Sequence, residues 1–304
     1  MALGAGWVKM KDPKILVIYK ESAYTRFKAS QHLPPPLRKG RYWNVICGSH
    51  QRHSGTIQGI RDILSSEGIP ATWVLRHKIH HLKDVDRKFK LIITVGGDGT
   101  LLDSSHITRK AHVMGVNSDP VRSVARFSAC TLASFRTVLR DYLEGKIEAI
   151  PVPRLEFSIN GKRSKWLILN DLLVSTLSPA GTSRYMIKVG NRIEEQMSSG
   201  IWISTAAGST AAIASAGGEI LPSTSKQFQY VVREAYPRKF GPRLMLKEVL
   251  NGKKTLEILS YMKDGRIFVD GASLTAPFGL GDRLKIGLSD HPLWIVGFKK
   301  KLAN

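Results

Sequence analysis

The stretch Leu91-Ile-Ile-Thr-Val-Gly-Gly-Asp-Gly-Thr-Leu-Leu-Asp103 ("LIITVGGDGTLLD") decides how the first half of the chain folds. Leu91 to Val95 is an apolar, β-branched run and reads as a buried strand. Glycines at 96, 97 and 99 then surround a lone carboxylate, Asp98, and Leu101 to Ile107 reads as a short helix. A strand-to-helix turn exposes backbone N–H groups at the positive end of the helix dipole, which favours an anion. The glycines let a phosphate approach the backbone closely. The spacing is neither G-x-G-x-x-G nor G-x-x-x-x-G-K-[ST], so neither of those phosphate fingerprints applies. An acid beside phosphates repels them unless it holds a metal ion or takes a proton from an attacking hydroxyl. Both are tasks of phosphoryl transfer. The alternative is an aspartate that caps the following helix.

Outward from this turn, short apolar strands alternate with helical periods. Lys14 to Tyr19, Ala71 to Leu75 and Val113 to Asn117 read as strands. Ile57, Ile60, Ile63 and Leu64 share one helical face that ends at Gly68. Thr131 opens a helix striped by Leu132, Phe135, Val138, Leu139, Tyr142 and Leu143, and Gly145 closes it. Such alternation implies a parallel, Rossmann-like α/β domain over residues 1–146. After Pro151 the texture changes. Asn160-Gly161, Gly190-Asn191 and Asp264-Gly265 each separate two strand-like runs, as hairpin turns do. A β-rich domain built as an antiparallel sandwich is expected over 147–304. Its last strand, Leu293 to Phe298, either closes this domain or returns to the first. Lys28 to Arg52, with Pro34-Pro35-Pro36, is expected to be a mobile surface loop.

Composition narrows the class. A chain of 304 residues with 42% hydrophobic and 23% charged residues suits two soluble domains. No apolar run reaches membrane-spanning length, and Met1 to Lys11 has no apolar leader core. With only Cys47 and Cys130, far apart, a reducing cytoplasmic compartment is expected. Lys and Arg outnumber Asp and Glu 46 to 24, a formal net charge of +22, which draws polyanions. The charge does not say which polyanion; no zinc-finger, bZIP or RNP motif appears, so nucleic-acid binding is not the expected main function. His77, His80 and His81 lack cysteines at finger spacing and read as a solvated basic face.

Gly96-Gly-Asp-Gly-Thr100 resembles the motif shared by NAD kinases, diacylglycerol-type lipid kinases and sphingosine kinases. Further segments resemble the first of these. Leu169-Asn170-Asp171 is similar to the N-E/D motif of NAD kinases, Ile203 to Ala212 to their S-T-P-x-G-S-T-A-Y segment, and Gly115-Val-Asn117 to the G-V-N after the first motif. Asp264-Gly265 and Gly281-Asp282 match the late D-G-Q and G-D pair. The resemblance implies transfer of a phosphoryl group from ATP with Mg²⁺, or from polyphosphate, to the 2′-hydroxyl of the adenosine ribose of NAD(H), giving NADP(H). Carried over residue by residue, Asp98 is the catalytic base or metal-positioning acid. Gly97 and Gly99 face phosphates, Thr100 is a further substrate-binding residue, Asn170 and Asp171 hydrogen-bond the dinucleotide, and Thr205, Gly208, Ser209, Thr210 and Ala211 line its adenosine end. No protein-only metal site is implied, Mg²⁺ arriving through the donor phosphates. A homo-oligomer is implied as well.

The departures also carry information. Met197-Ser-Ser-Gly200 stands where many NAD kinases have R-G-D-G, so Ser199 replaces an acid; Ala206 replaces a proline and Ala212 a tyrosine. These departures resemble a plant-type branch that prefers NADH. An oxidised nicotinamide ring is cationic and a reduced one neutral, so a serine in place of a carboxylate disfavours the cation. Substrate preference at position 199 is therefore expected to tilt toward NADH. A lipid kinase of the same motif group, or a basic nucleic-acid-binding protein without activity, are the alternatives.

Overall fold

The computed structural model describes residues 14–29, 40–237 and 244–298. They form two compact units, one of the described residues up to Ile150 and from Trp294 onward, the other from Pro151 to Leu293.

The first unit is built on β1 (Ile15–Tyr19), β2 (Ala71–Leu75), β3 (Leu91–Gly96), β4 (His112–Asn117), β5 (Ser128–Thr131), β6 (Ala149–Val152) and the chain's last strand, β19 (Leu293–Val296). The sheet order is β2-β1-β3-β4-β19-β6, with β5 paired to β4. The pairs β1–β2, β1–β3, β3–β4, β4–β5 and β4–β19 are all parallel. Every residue of β3 is buried, as a strand covered on both faces requires. Among the described residues the α-helices beside the sheet are α1 (Ala23–Ala29), α2 (Arg41–Ser66), α3 (Val85–Lys88), α4 (Asp98–Ser105) and α5 (Leu132–Leu143). Ile60 and Leu64 of α2 and Phe135, Leu139 and Tyr142 of α5 share one core with Val17, Ile93 and Val95. The two helices touch at Gly59, where a Cβ would stand 2.7 Å from the Leu132 side chain. Leu101 of α4 reaches Gly115 on the other face, where a Cβ would meet its Cδ1 at 3.2 Å.

The expected loop over residues 28–52 is corrected at its start, which belongs to α1, and from Arg41 onward, where α2 runs unbroken for 26 residues; residues 30–39 lie outside the described residues. The buried face of α2 is Ile46, His53, Thr56, Ile60 and Leu64. Two of these five are polar, so the apolar period is masked in its first half. His53 is accommodated by hydrogen bonds that join its ring to Ser118 Oγ (2.8 Å) and to the Lys20 carbonyl (2.8 Å).

The second unit contains β7 (Leu155–Ile159), β8 (Lys162–Arg163), β9 (Asp171–Thr176), β10 (Ser183–Val189), β11 (Arg192–Ser198), β12 (Ile201–Thr205), α6 (Ala212–Ser215), β13 (Gln227–Val232), β14 (Lys247–Asn251), β15 (Leu256–Ser260), β16 (Gly265–Val269), β17 (Leu274–Pro277) and β18 (Arg283–Leu288). One sheet runs β11-β10-β15-β18-β7-β8 and the other β14-β13-β12-β9-β16-β17. Alternate residues of both, among them Phe157, Val174, Tyr185, Ile203, Ile258 and Ile286, interlock in one core. Asn160 and Gly161 turn β7 into β8 at φ 51° and 79°, the left-handed pair that a tight hairpin needs. Gly190, at φ 58°, turns β10 into β11.

Asp264-Gly265 is not a hairpin. It leads from β15 in one sheet to β16 in the other. A Cβ on Gly265 would lie 2.1 Å from the Phe278 carbonyl, so this glycine serves a close backbone approach and not a reversal. The α/β half with its parallel sheet and the antiparallel β-rich half match the expected fold class. No described helix is long and apolar enough to cross a membrane.

Candidate active site

β3 delivers the glycine turn. Gly97 is the N-cap of α4 and Asp98 its first residue. The Asp98 side chain does not cap the helix. Its Oδ2 accepts the backbone N–H of Arg126 and its Oδ1 that of Phe127, both at 2.9 Å. The carboxylate is thus fixed in orientation by the loop after β4, and each oxygen keeps a second lone pair. Asn117 closes that loop, donating to the Ser123 carbonyl (2.8 Å) and accepting from the Asp119 N–H (3.1 Å).

The turn is packed more tightly than its glycine content suggests. A Cβ on Gly96 would sit 2.3 Å from Thr100 Oγ1, and one on Gly97 would sit 2.9 Å from Ser123 Oγ. Thr100 Oγ1 is buried without a hydrogen-bond partner, pressed on Gly96. Beside Gly99 the neighbour is the Arg76 guanidinium, 3.3 Å from the same virtual atom. Gly97, Asp98 and Gly99 are half-buried, whereas Thr100 is buried.

A second cluster lies in the β-rich unit, at the start of β9. Asp270 follows β16 in a left-handed conformation (φ 48°). Its carboxylate accepts the backbone N–H groups of Leu169 (2.9 Å), Asn170 (2.7 Å) and Asp171 (3.0 Å). The Asn170 carbonyl accepts from Thr205 N–H (2.9 Å) and Ser204 Oγ (3.1 Å). Gly208 packs on the same peptide, where a Cβ would fall 2.1 Å from the Asn170 oxygen. Asn170, Asp171, Thr205 and Gly208 are therefore brought together. Burial first, then the charge of Asp270, raises the Asp171 carboxyl to about 7.

The hydroxyls in this segment are differently employed. Thr205 Oγ1 donates to the Leu169 carbonyl at 2.5 Å and accepts the Gly208 N–H at 2.9 Å. Ser209 Oγ accepts the Leu221 N–H at 3.0 Å. Both are wholly buried and their polar atoms are taken up by backbone, so they shape the segment. Thr210 and Ala211 are half-buried and remain reachable.

Ser199 lines a cavity of about 390 Å³ in the same unit, with Leu173, Trp202, Arg233, Phe268 and Gly271. Trp202, Leu173 and Phe268 are register partners across β12, β9 and β16, so their rings and side chains share one outer face. Arg233 lies 5.9 Å from the Trp202 ring centre. Trp202 is thus a cavity wall. Asp270 was not legible as a functional residue. Asp270-Gly271 and Asp264-Gly265 are the same dipeptide at strand ends, and only the fold shows which one meets Asn170, 100 residues earlier.

These arrangements agree with what the chain is similar to. Residues 50–147 match the NAD kinase description "ATP-NAD kinase N-terminal domain". A probable NADH kinase of Oryza sativa subsp. japonica is 32% identical over 264 residues, 79% of this chain and 80% of that protein. An NADH kinase of Arabidopsis thaliana is 34% identical over 265 residues, covering 79% and 82%. The fold matches a crystal structure of an NAD kinase from Archaeoglobus fulgidus in complex with ATP, with TM-score 0.66, 18% identity and coverage of 95% of this chain and 94% of that one. It also matches yeast NADH kinase complexed with NADH, with TM-score 0.68, 14% identity and coverage of 94% and 84%. Fold and relatives together define a phosphoryl-transferring enzyme. The chain belongs to the NAD kinase family. The lipid-kinase and inactive nucleic-acid-binding alternatives fall with that membership.

Proposed function

We propose that the protein transfers the terminal phosphoryl group of ATP to the 2′-hydroxyl of the adenosine ribose of NAD(H), and accepts NADH at least as well as NAD⁺. The observation that carries this reading is the Asp98 carboxylate, aimed by two backbone N–H bonds and left with free lone pairs at the carboxyl end of β3. Asp98 accepts the hydroxyl proton as the 2′-oxygen bonds to the terminal phosphorus. The bridging P–O bond breaks and its electrons leave with ADP. Asn170 and Asp171 hold the dinucleotide, with Thr210 and Ala211 at its adenosine end.

Among the described residues no group of three or more His, Cys, Asp or Glu could hold a metal. Mg²⁺ would arrive with the donor phosphates, as this ion usually does. When bound it neutralises charge on those phosphates. An ATP complex and an NADH complex of proteins with this fold support the choice of donor and acceptor.

The preference for NADH rests on the cavity at Ser199. Its walls are mostly apolar, and Arg233 contributes positive charge. A neutral dihydronicotinamide suits such a cavity better than a cationic ring. The free thiols Cys47 and Cys130 favour a reducing, cytoplasmic compartment, and the family resemblance favours a homo-oligomer.

The test is purified protein with ATP–Mg²⁺ and either NAD⁺ or NADH, with the product identified as the 2′-phosphate. Polyphosphate replaces ATP in a parallel reaction. Absence of NADP(H) from every reaction would reject the proposal.

A further inference from the structure

The parallel sheet puts four strand ends at one edge, and cations gather there around the glycine turn. In the order β2-β1-β3-β4, Arg76 follows β2, Lys20 follows β1, Gly97 to Gly99 follow β3, and Ser118 to Ser123 follow β4. The order in which strands are added to the sheet reverses between β1 and β3. α2, which follows β1, lies on one face of the sheet, while α4, which follows β3, lies on the other. Ligands of open α/β sheets settle in the crevice at such a reversal, outside the carboxyl ends of the strands.

The acids on the glycine turn and after β4 are already engaged. Asp119 pairs with Arg52 at 2.6 Å, Asp103 pairs with Arg76 Nε, and Asp98 holds two backbone N–H groups. Because Asp103 holds Arg76 by Nε, the terminal nitrogens of its guanidinium are left beside Gly99. Lys20 is half-buried, and its ammonium has no hydrogen bond or ion pair among the described residues. Burial lowers its pKa, the Asp119 charge opposes this, and the charges of Arg76 and Arg26 lower it further. A partly desolvated cation flanked by cations is stabilised by an anion placed among them.

We infer that Lys20 and Arg76 clasp an oligophosphate chain, the terminal phosphates of the phosphoryl donor, in the crevice between the ends of β1 and β3. The inference rests on the kinase reading for the identity of the donor, and on side-chain placement for the site. Lys20 acts as a point charge on the chain and Arg76 as a two-pronged donor to one phosphate.

The experiment uses the full chain and two probes without Mg²⁺, ATP and inorganic tripolyphosphate, with binding read by calorimetry; adenosine is the phosphate-free control. Lys20→Met weakens both probes at least tenfold, while Lys20→Arg keeps most of the affinity; Lys20→Gln replaces the methionine variant should that one fold poorly. In steady state the KM for ATP rises about tenfold in Lys20→Met, and the KM for NADH moves less than twofold. Wild-type binding of tripolyphosphate by Lys20→Met overturns the inference. So does a loss confined to ATP, which would put the contact on the nucleoside, or no wild-type binding of either probe. A protein that makes no NADP(H) yet binds tripolyphosphate through Lys20 rejects the kinase reading and leaves this site standing. An active enzyme indifferent to Lys20→Met does the reverse.

Discussion

Asp270 accepts the backbone N–H of Asp171 at 3.0 Å, and its charge adds to burial in holding the Asp171 carboxyl at about 7. One carboxylate thus organises the peptide that carries another. The strand end after β16 fixes three successive amides at the start of β9, and those amides position Asn170 and Asp171. Charge-assisted bonds of this kind are about twice as strong as neutral ones.

Replacing Asp270 tests that arrangement. Asn tolerates the left-handed conformation, so Asp270→Asn isolates the loss of charge, whereas Asp270→Ala removes every acceptor. The alanine variant should lose about 2–3 kcal/mol of stability, with the asparagine variant between it and wild type. KM for NAD(H) should rise at least tenfold while KM for ATP stays within a factor of two. Equal shifts in both constants would show that Asp270 supports the fold at large and not this segment.

The raised pKa of Asp171 sets a pH dependence. Its ordinary value is 3.8 and its folded value about 7. Between those values the folded protein retains a proton that the unfolded chain releases. The resulting stability is therefore complete below about pH 4 and is lost as pH climbs through 7. At about 1.4 kcal/mol per unit, roughly 2–3 kcal/mol should disappear between pH 5 and 8. Asp171→Asn mimics the protonated form and should lack this slope in urea titrations without ligand. Parallel stability curves for variant and wild type would remove the assignment.

Asp98→Asn should lower kcat by roughly two to four orders of magnitude, since the amide cannot accept the hydroxyl proton. Asparagine keeps one oxygen for one of the two amides from Arg126 and Phe127, so about 1–2 kcal/mol of stability is lost and the fold persists. Initial rates with intact circular dichroism check this. A kcat within fivefold of wild type would take the proton-accepting role from Asp98.

Gly208 is constrained by packing. The Cβ of Gly208→Ala would stand 2.1 Å from the Asn170 carbonyl oxygen, a backbone atom that cannot rotate away. The substitution should destabilise by about 3 kcal/mol and weaken NAD(H) more than ATP. Wild-type thermal stability in this variant would show that the two peptides can separate freely.

What the sequence disclosed and what it hid follow one division. β1, β3 and β4 are continuous apolar runs, and the turns at Asn160-Gly161 and Gly190 are set by their own backbone angles. The Gly-Gly-Asp-Gly turn is equally local. Contacts between distant segments left no such trace. The first half of α2 is hidden because His53 and Thr56 sit on its buried face. The passage from β15 to β16 looks like a hairpin because a turn dipeptide says nothing about which sheet the next strand joins. Thr205 and Ser209 read as ligand groups, and only the fold shows that their hydroxyls also bond the backbone of Leu169 and Leu221.

Ser199 offers the sharpest test of cofactor choice. It shares a cavity with Trp202, Phe268 and Arg233. An oxidised nicotinamide ring there would carry positive charge toward a guanidinium, whereas the reduced ring would not. Ser199→Asp puts a carboxylate at the same wall and offsets that repulsion. Two charges a few ångströms apart in a half-exposed site exchange about 1–2 kcal/mol. The ratio of kcat/KM for NAD⁺ to that for NADH should therefore rise about tenfold or more. Arg233→Gln should move the ratio the same way by removing the opposing charge, and Ser199→Ala should leave it near wild type. A ratio unchanged within a factor of two in both charge-altering variants would show that the nicotinamide ring lies elsewhere.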